Sequence, residues 1–176
     1  MGNCQSQSKS ESNQNITNAG CLFTDNRHVL AGFQPHKKEK IISGFGGKGE
    51  EGETSIQTAW RETLEELFEF PSDVIGGLVE EIGLKIKYFK TFTNGNYTVF
   101  VYTFQQLFEI LCMIEEKELQ SPLYDTFPTE LFELILYRKP KLTSEVQQIT
   151  LLPAAMHILD PYFIRDISIY SELYNL

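Results

Sequence analysis

The sequence predicts an α/β domain with a mixed sheet flanked by helices, and three observations carry that prediction. Short apolar segments open the ordered part of the chain and are joined by a turn-like Asp25-Asn26-Arg27. A strongly amphipathic helical pattern then follows a glycine-rich stretch. Beyond it come further strand-like runs and then helical ones, the order of strands, helix, strands, helices that a layered mixed sheet gives.

The elements follow in order. Residues 1–19 are rich in Ser, Gln, Asn and Glu. So little apolar surface cannot offset the entropy of ordering, so this segment reads as a disordered tail and the domain is expected over 20–176. Residues 21–24 and 28–33 read as a hairpin. Residues 38–43 form a short strand ending in a glycine-rich loop, Gly44-Phe45-Gly46-Gly47-Lys48-Gly49. A helix is expected over 55–70, opened by a Thr54/Gln57 capping box and stopped by Pro71. Ser72-Asp73 caps a second helix through Ile82. Strands over 84–93 and 97–104 flank Asn94-Gly95-Asn96, a good hairpin turn. Residues 105–118 and 128–137 are amphipathic and helical, 147–152 is a last strand, and 153–174 holds one or two helices.

The formal charge of −9 disfavours broad binding to nucleic-acid backbones. It leaves small anionic phosphorylated substrates open, because a bound metal inverts the local sign. No apolar run reaches the ~18–20 residues of a membrane span, and the first twenty residues hold no apolar leader core, so the expected location is cytoplasmic. Three widely spaced cysteines suit a reducing compartment and argue against a disulfide framework or a zinc site.

The chemistry concentrates in the helix over 55–70. Ile56, Ala59, Trp60, Thr63, Leu64 and Leu67 make one apolar face. Glu62, Glu65, Glu66 and Glu69 occupy a second face at i, i+3, i+4 and i+7. Like charges at this spacing repel by a few tenths of a kcal/mol per pair. A solvated face would interleave lysines, and here Arg61 is the only cation within the turn. Hard carboxylate oxygens on one rigid helix suit Mg2+, and the preceding glycines let backbone approach a ligand.

Gly47, five residues, Glu53, seven residues, Arg61-Glu62, two residues and Glu65-Glu66 together resemble the Nudix box. Gly44-Phe45-Gly46-Gly47-Lys48 and Glu51-Gly52-Glu53-Thr54 are similar to its branch that sanitises nucleoside triphosphates. The resemblance implies a Nudix-like α/β/α sandwich and a pyrophosphohydrolase. It implies Mg2+ (with Mn2+ as a substitute) on Glu62, Glu65, Glu66 and the Gly46 carbonyl. It also implies an Arg61–Glu53 ion pair and a box or outside glutamate as base. Its reaction is attack of water at phosphorus in a nucleoside di- or triphosphate-linked substrate. Phe68 stands where the motif has glycine, Glu69 where it has an aliphatic residue, and Thr63 departs likewise; Phe68 lets the helix run on to Pro71.

Candidates outside the box are Glu145, in a polar loop before the last strand, as an added acidic ligand or base, and Lys37, Lys38 and Lys48 as phosphate contacts. Arg138 to Lys141 reads as loop, and His157 as structural. Met1-Gly2-Asn3-Cys4-Gln5-Ser6 fits the N-myristoylation pattern on Gly2, with Cys4 as a palmitoyl acceptor, which would tether the protein to the cytoplasmic face of a membrane. The rival reading is a non-catalytic Nudix-fold nucleotide sensor or membrane-tethered scaffold. Alternative substrates are diphosphoinositol polyphosphates, nucleotide sugars, dinucleoside polyphosphates and capped RNA.

Overall fold

The computed structural model describes residues 18–36 and 41–154. Gly2, Cys4, most of the tail expected over 1–19, Lys37, Lys38, His157 and nearly all of the helical region expected over 153–174 lie outside them.

The strands are β1 (Asn18–Thr24), β2 (His28–Gln34), β3 (Ile41–Ser43), β4 (Phe45–Lys48), β5 (Lys90–Asn94), β6 (Tyr97–Thr103) and β7 (Gln148–Pro153). The helices are α1 (Ser55–Phe68), α2 (Ser72–Lys85), α3 (Phe104–Glu115) and α4 (Leu131–Leu136). The sheet is mixed: β1 runs parallel to β6, while β2, β4 and β5 pair antiparallel with their neighbours. The fold class is therefore α/β with a mixed sheet and flanking helices, as the element pattern predicts.

The β1–β2 hairpin forms as expected, with Asn26 at φ 74 in its turn. The two strands pair only next to that turn, at Thr24 and Val29. Beyond it β4 takes the place beside Asn18–Cys21, and β3 takes the place beside Gly32–Gln34. The outer side of β2 is closed by β7 over Val29–Phe33, continuing to His28 opposite Pro153.

Several expectations change. The glycine run is not a loop, because Phe45–Lys48 is paired along β1. Gly46 lies so close to β1 that a Cβ on it would overlap the Gly20 Cα and the Ala19 carbonyl. Glycine here serves close strand approach. β1 includes Asn18 and Ala19, expected to lie in the tail. The first helix ends at Phe68, not at residue 70, and Glu69 takes the left-handed conformation at φ 50. A non-glycine residue there costs roughly 1–2 kcal/mol. The second helix runs on to Lys85, is preceded by Pro71 as N-cap and has no side-chain cap. The strand expected over 84–93 shortens to β5 as a result.

The larger apolar cluster lies between the sheet and the helices. Trp60 of α1 lies within it, edge-on to Tyr102 at 4.8 Å between rings and bonded to its hydroxyl at 2.9 Å. A second cluster on the opposite face gathers Leu22, Val29, Ala31, Val99, Val101 and Leu152. This two-sided burial explains why β1 and β6 read as near-continuous apolar runs. Among the described residues no helix is long and apolar enough to cross a membrane.

Candidate functional site

Helix α1 lays its apolar face on the sheet, and this decides where each glutamate goes. Glu66 flanks that face and is drawn inward: it is 4% exposed. Its two oxygens are held separately. The Gln34 amide Nε2 on β2 donates to Oε1 at 2.7 Å, and the Gly46 backbone N–H on β4 donates to Oε2 at 2.9 Å. A buried carboxylate needs such donors. Gln34 is itself buried, and among the described residues its Oε1 has no hydrogen-bond partner.

Arg61 organises the rest. Its Nε donates to Glu53 Oε1 at 2.7 Å and its Nη2 to the Lys48 carbonyl at 2.8 Å, which ties the loop before α1 to the helix. Its Nη1 lies 3.0 Å from both Glu62 and Glu65. The acidic face thus has a shared counter-charge from its own helix. Burial opposes it, but the three carboxylates of Glu53, Glu62 and Glu65 around one guanidinium keep Arg61 protonated well beyond its usual range.

The carboxyls respond differently. Burial pushes Glu62 up, against the pull of Arg61, and the charges of Glu65 and Glu145 add to the rise. Glu65 is raised in the same way by burial, with Glu50 and Glu53 adding to it. Burial would also raise Glu53, but hydrogen bonds from Arg61, Glu50 N–H and Thr58 outweigh it and depress it. Glu62 and Glu65 are therefore under-compensated, while Glu53 is a fully paired structural anion.

The glycines of β4 leave room for this array. A Cβ on Gly47 would overlap the Glu62 carboxylate. Lys48 ends β4 with an exposed side chain. Glu145 is exposed, carries no hydrogen bond or ion pair among the described residues, and sits between two buried neighbours, Ser144 and Val146. Val146 beside it bonds to the Arg138 guanidinium that also holds the Glu66 carbonyl, which brings this stretch of chain to the end of α1 that carries Glu66.

The residues suit a hard divalent cation by donor chemistry, and the orphaned Gln34 Oε1 beside Glu66 adds another oxygen. Among the described residues no three His, Cys, Asp or Glu side chains are already gathered as a metal site. The reason is visible in the contacts: Arg61 draws Glu62 and Glu65 to itself, while Gln34 and Gly46 hold Glu66.

The sequence missed two contributors and gave a third another role. Gln34 gives no signal beyond a polar residue closing an apolar strand. Arg138, read as loop, is buried, and it donates to the carbonyls of Leu67 at 2.6 Å, Glu66 at 2.8 Å and Val146 at 2.6 Å. Glu69, counted with the acidic face, instead accepts from Lys141 and Ser144.

No family model matches the chain, and no curated protein matches it. Among solved structures it is similar to a bifunctional NMN adenylyltransferase/ADP ribose pyrophosphatase from Francisella tularensis, at 15% identity and a TM-score of 0.49, over 90% of this chain and 41% of that one. The same figures hold for that protein complexed with AMP and a Mn ion. It is also similar to a hydrolase of the NUDIX family from Clostridium perfringens, at 17% identity and a TM-score of 0.40, over 89% of this chain and 95% of that one. The chain spans 41% of the length of the Francisella protein, and at such identities no function transfers from these proteins to this one.

Proposed function

We propose that this protein is a Nudix-type, Mg2+-dependent hydrolase of phosphoanhydride bonds in a nucleoside di- or triphosphate-linked substrate. The observation that carries the reading is the arrangement of the box residues. Glu66 is buried with both oxygens held, Glu62 and Glu65 of the same helix share Arg61, and Arg61 pins the preceding loop to that helix.

Glu62, Glu65, Glu66, the Gln34 amide oxygen and the Gly46 carbonyl would hold the cation. When bound, Mg2+ supplies charge to phosphate oxygens and makes a bound water more acidic. The chain's own residues do the rest. Arg61 releases Glu62 and Glu65 to the site while keeping Glu53 and the Lys48 carbonyl, so the loop stays in place. Lys48 meets a substrate phosphate. Glu145 takes the proton from the attacking water, since the other carboxylates of the site are engaged. The water oxygen bonds to phosphorus, the bridging P–O bond breaks, and the leaving phosphate keeps the bridging oxygen. Nucleoside triphosphates are the first substrates to test, followed by nucleotide sugars, dinucleoside polyphosphates and diphosphoinositol polyphosphates. The negative charge of the chain weighs against capped RNA.

The test is release of phosphate and nucleotide from that panel with Mg2+, with Mn2+ affinity followed by electron paramagnetic resonance. Glu66→Gln is expected to lower turnover ~100-fold or more and to weaken Mn2+ binding. Wild-type protein that is folded, binds Mn2+ and turns nothing over favours the nucleotide-sensor reading. Wild type that binds no Mn2+ removes the metal site.

A further inference from the structure

We propose that Glu69 and Arg138 are positioning residues: residues 138–146 form a strap, and these two side chains tie it to the end of α1 so that Glu145 is held at the acidic face. The inference rests on the reading above, in which Glu145 takes the proton.

The strap is anchored on both sides of Glu145. Ser144, 2% exposed, donates its hydroxyl to the Glu69 carboxylate, and Lys141 reaches the same carboxylate. Val146, 1% exposed, gives its carbonyl to the Arg138 guanidinium at 2.6 Å. The same guanidinium donates to the carbonyls of Glu66 and Leu67, so one side chain joins the strap to the turn of helix that carries Glu66. Just beyond the strap, Gln147 N–H bonds to the Phe33 carbonyl at 2.9 Å, next to the Gln34 that holds Glu66. The Val146 side chain sits over Gly32, 2.7 Å from where a Cβ there would be. Glu145 is the exposed residue between these anchors. Its backbone cannot move away from the end of α1 without breaking them.

The left-handed Glu69 sharpens the point. Glycine suits that conformation far better, and a glycine could make no bond to Lys141 or Ser144. The carboxylate is what the position gains. Strain kept at such a place points to a role for the side chain that keeps it.

Glu69→Gly is therefore a clean probe. It suits the backbone and removes only the tie, so the full chain is expected to fold with a thermal midpoint at or above that of wild type. Amide hydrogen exchange over 144–147 is expected to speed up about tenfold as local opening becomes easier. On the substrate found with the panel above, kcat is expected to fall about tenfold with KM unchanged. In a Glu145→Gln background, Glu69→Gly is expected to change kcat no further, because the two act through one group. Glu69→Gln, whose amide oxygen still accepts from Ser144, is expected to recover part of the loss.

Unchanged exchange over 144–147 in Glu69→Gly overturns the strap. Glu145→Gln impaired, with Glu69→Gly either like wild type or equally harmful in both backgrounds, overturns the positioning role while leaving the hydrolase reading intact. Glu145→Gln with wild-type kcat overturns the base assignment and the positioning role together, and a wild type without turnover overturns them along with the hydrolase reading.

Discussion

The two ends of α1 are closed in opposite ways. At the N-terminus Thr54 and Gln57 cap one another: Thr54 N–H donates to Gln57 Oε1 at 2.9 Å and Gln57 N–H to Thr54 Oγ1 at 3.4 Å. At the C-terminus the last four carbonyls would be left without partners. Only Glu65 finds a local one, the Glu69 N–H at 2.8 Å. Glu66 and Leu67 rely on Arg138, and Phe68 relies on the Ser121 hydroxyl at 2.6 Å. One end is finished by residues three apart, and the other by residues 53 to 72 positions away. The local end fixes where the helix starts. The remote end fixes where the glutamates sit relative to the rest of the site.

The largest expected effect breaks the remote end. Arg138→Met leaves the carbonyls of Glu66, Leu67 and Val146 without that donor in a buried place, and each unsatisfied group costs about 1–3 kcal/mol. Urea unfolding should show a loss of at least ~3 kcal/mol. A loss under ~1 kcal/mol would mean that the helix end does not depend on the clamp. A smaller effect belongs to the local end. Thr54→Ala should cost ~1 kcal/mol by the same measurement, the usual worth of an N-cap, and parity between the two variants would erase the contrast.

The smallest effect is in pH. Burial tends to raise the Glu69 carboxyl, but hydrogen bonds from Lys141 and Ser144 and the charges of Lys141 and Arg138 outweigh it, so it is depressed below the ordinary 4.5. A depressed acid adds stability above its unfolded value, and that stability disappears as pH falls through the folded value. The stability difference between wild type and Glu69→Gly should therefore shift against wild type as pH is lowered from 6 through the region below 4.5. A difference that stays constant across that range would show that the Glu69 tie is not ionic. Glu62 and Glu65, raised by burial, act in the opposite sense in both proteins, so the comparison cancels them.

Much of this was legible in the residues. The apolar stripe from Ile56 to Leu67 and the capping box gave α1 its start and its buried face. Asn94-Gly95-Asn96 gave the β5–β6 turn, where Gly95 has φ 65. The spacing from Gly47 to Glu66 singled out the candidate site. Other features were not legible, for physical reasons. Phe45–Lys48 holds two glycines, which usually weaken a strand, and becomes one because Asn18–Cys21 is there to pair with it. Glu66 shares the periodicity of the polar face yet is buried, because Gln34 and Gly46 offer donors inside. Arg138 looks like any loop cation until three carbonyls surround it.

By itself the sequence determined what local reach can decide: helix start, turn position, the alternation of strands, and which apolar residues of α1 share a face. A capping side chain reaches only three or four residues along its own chain, so these choices need no partner. Tertiary structure alone decided which glutamate is buried, where α1 ends and where Glu145 stands. Each of those depends on donors and backbone brought from distant positions, and a buried polar group can settle only where such partners meet it.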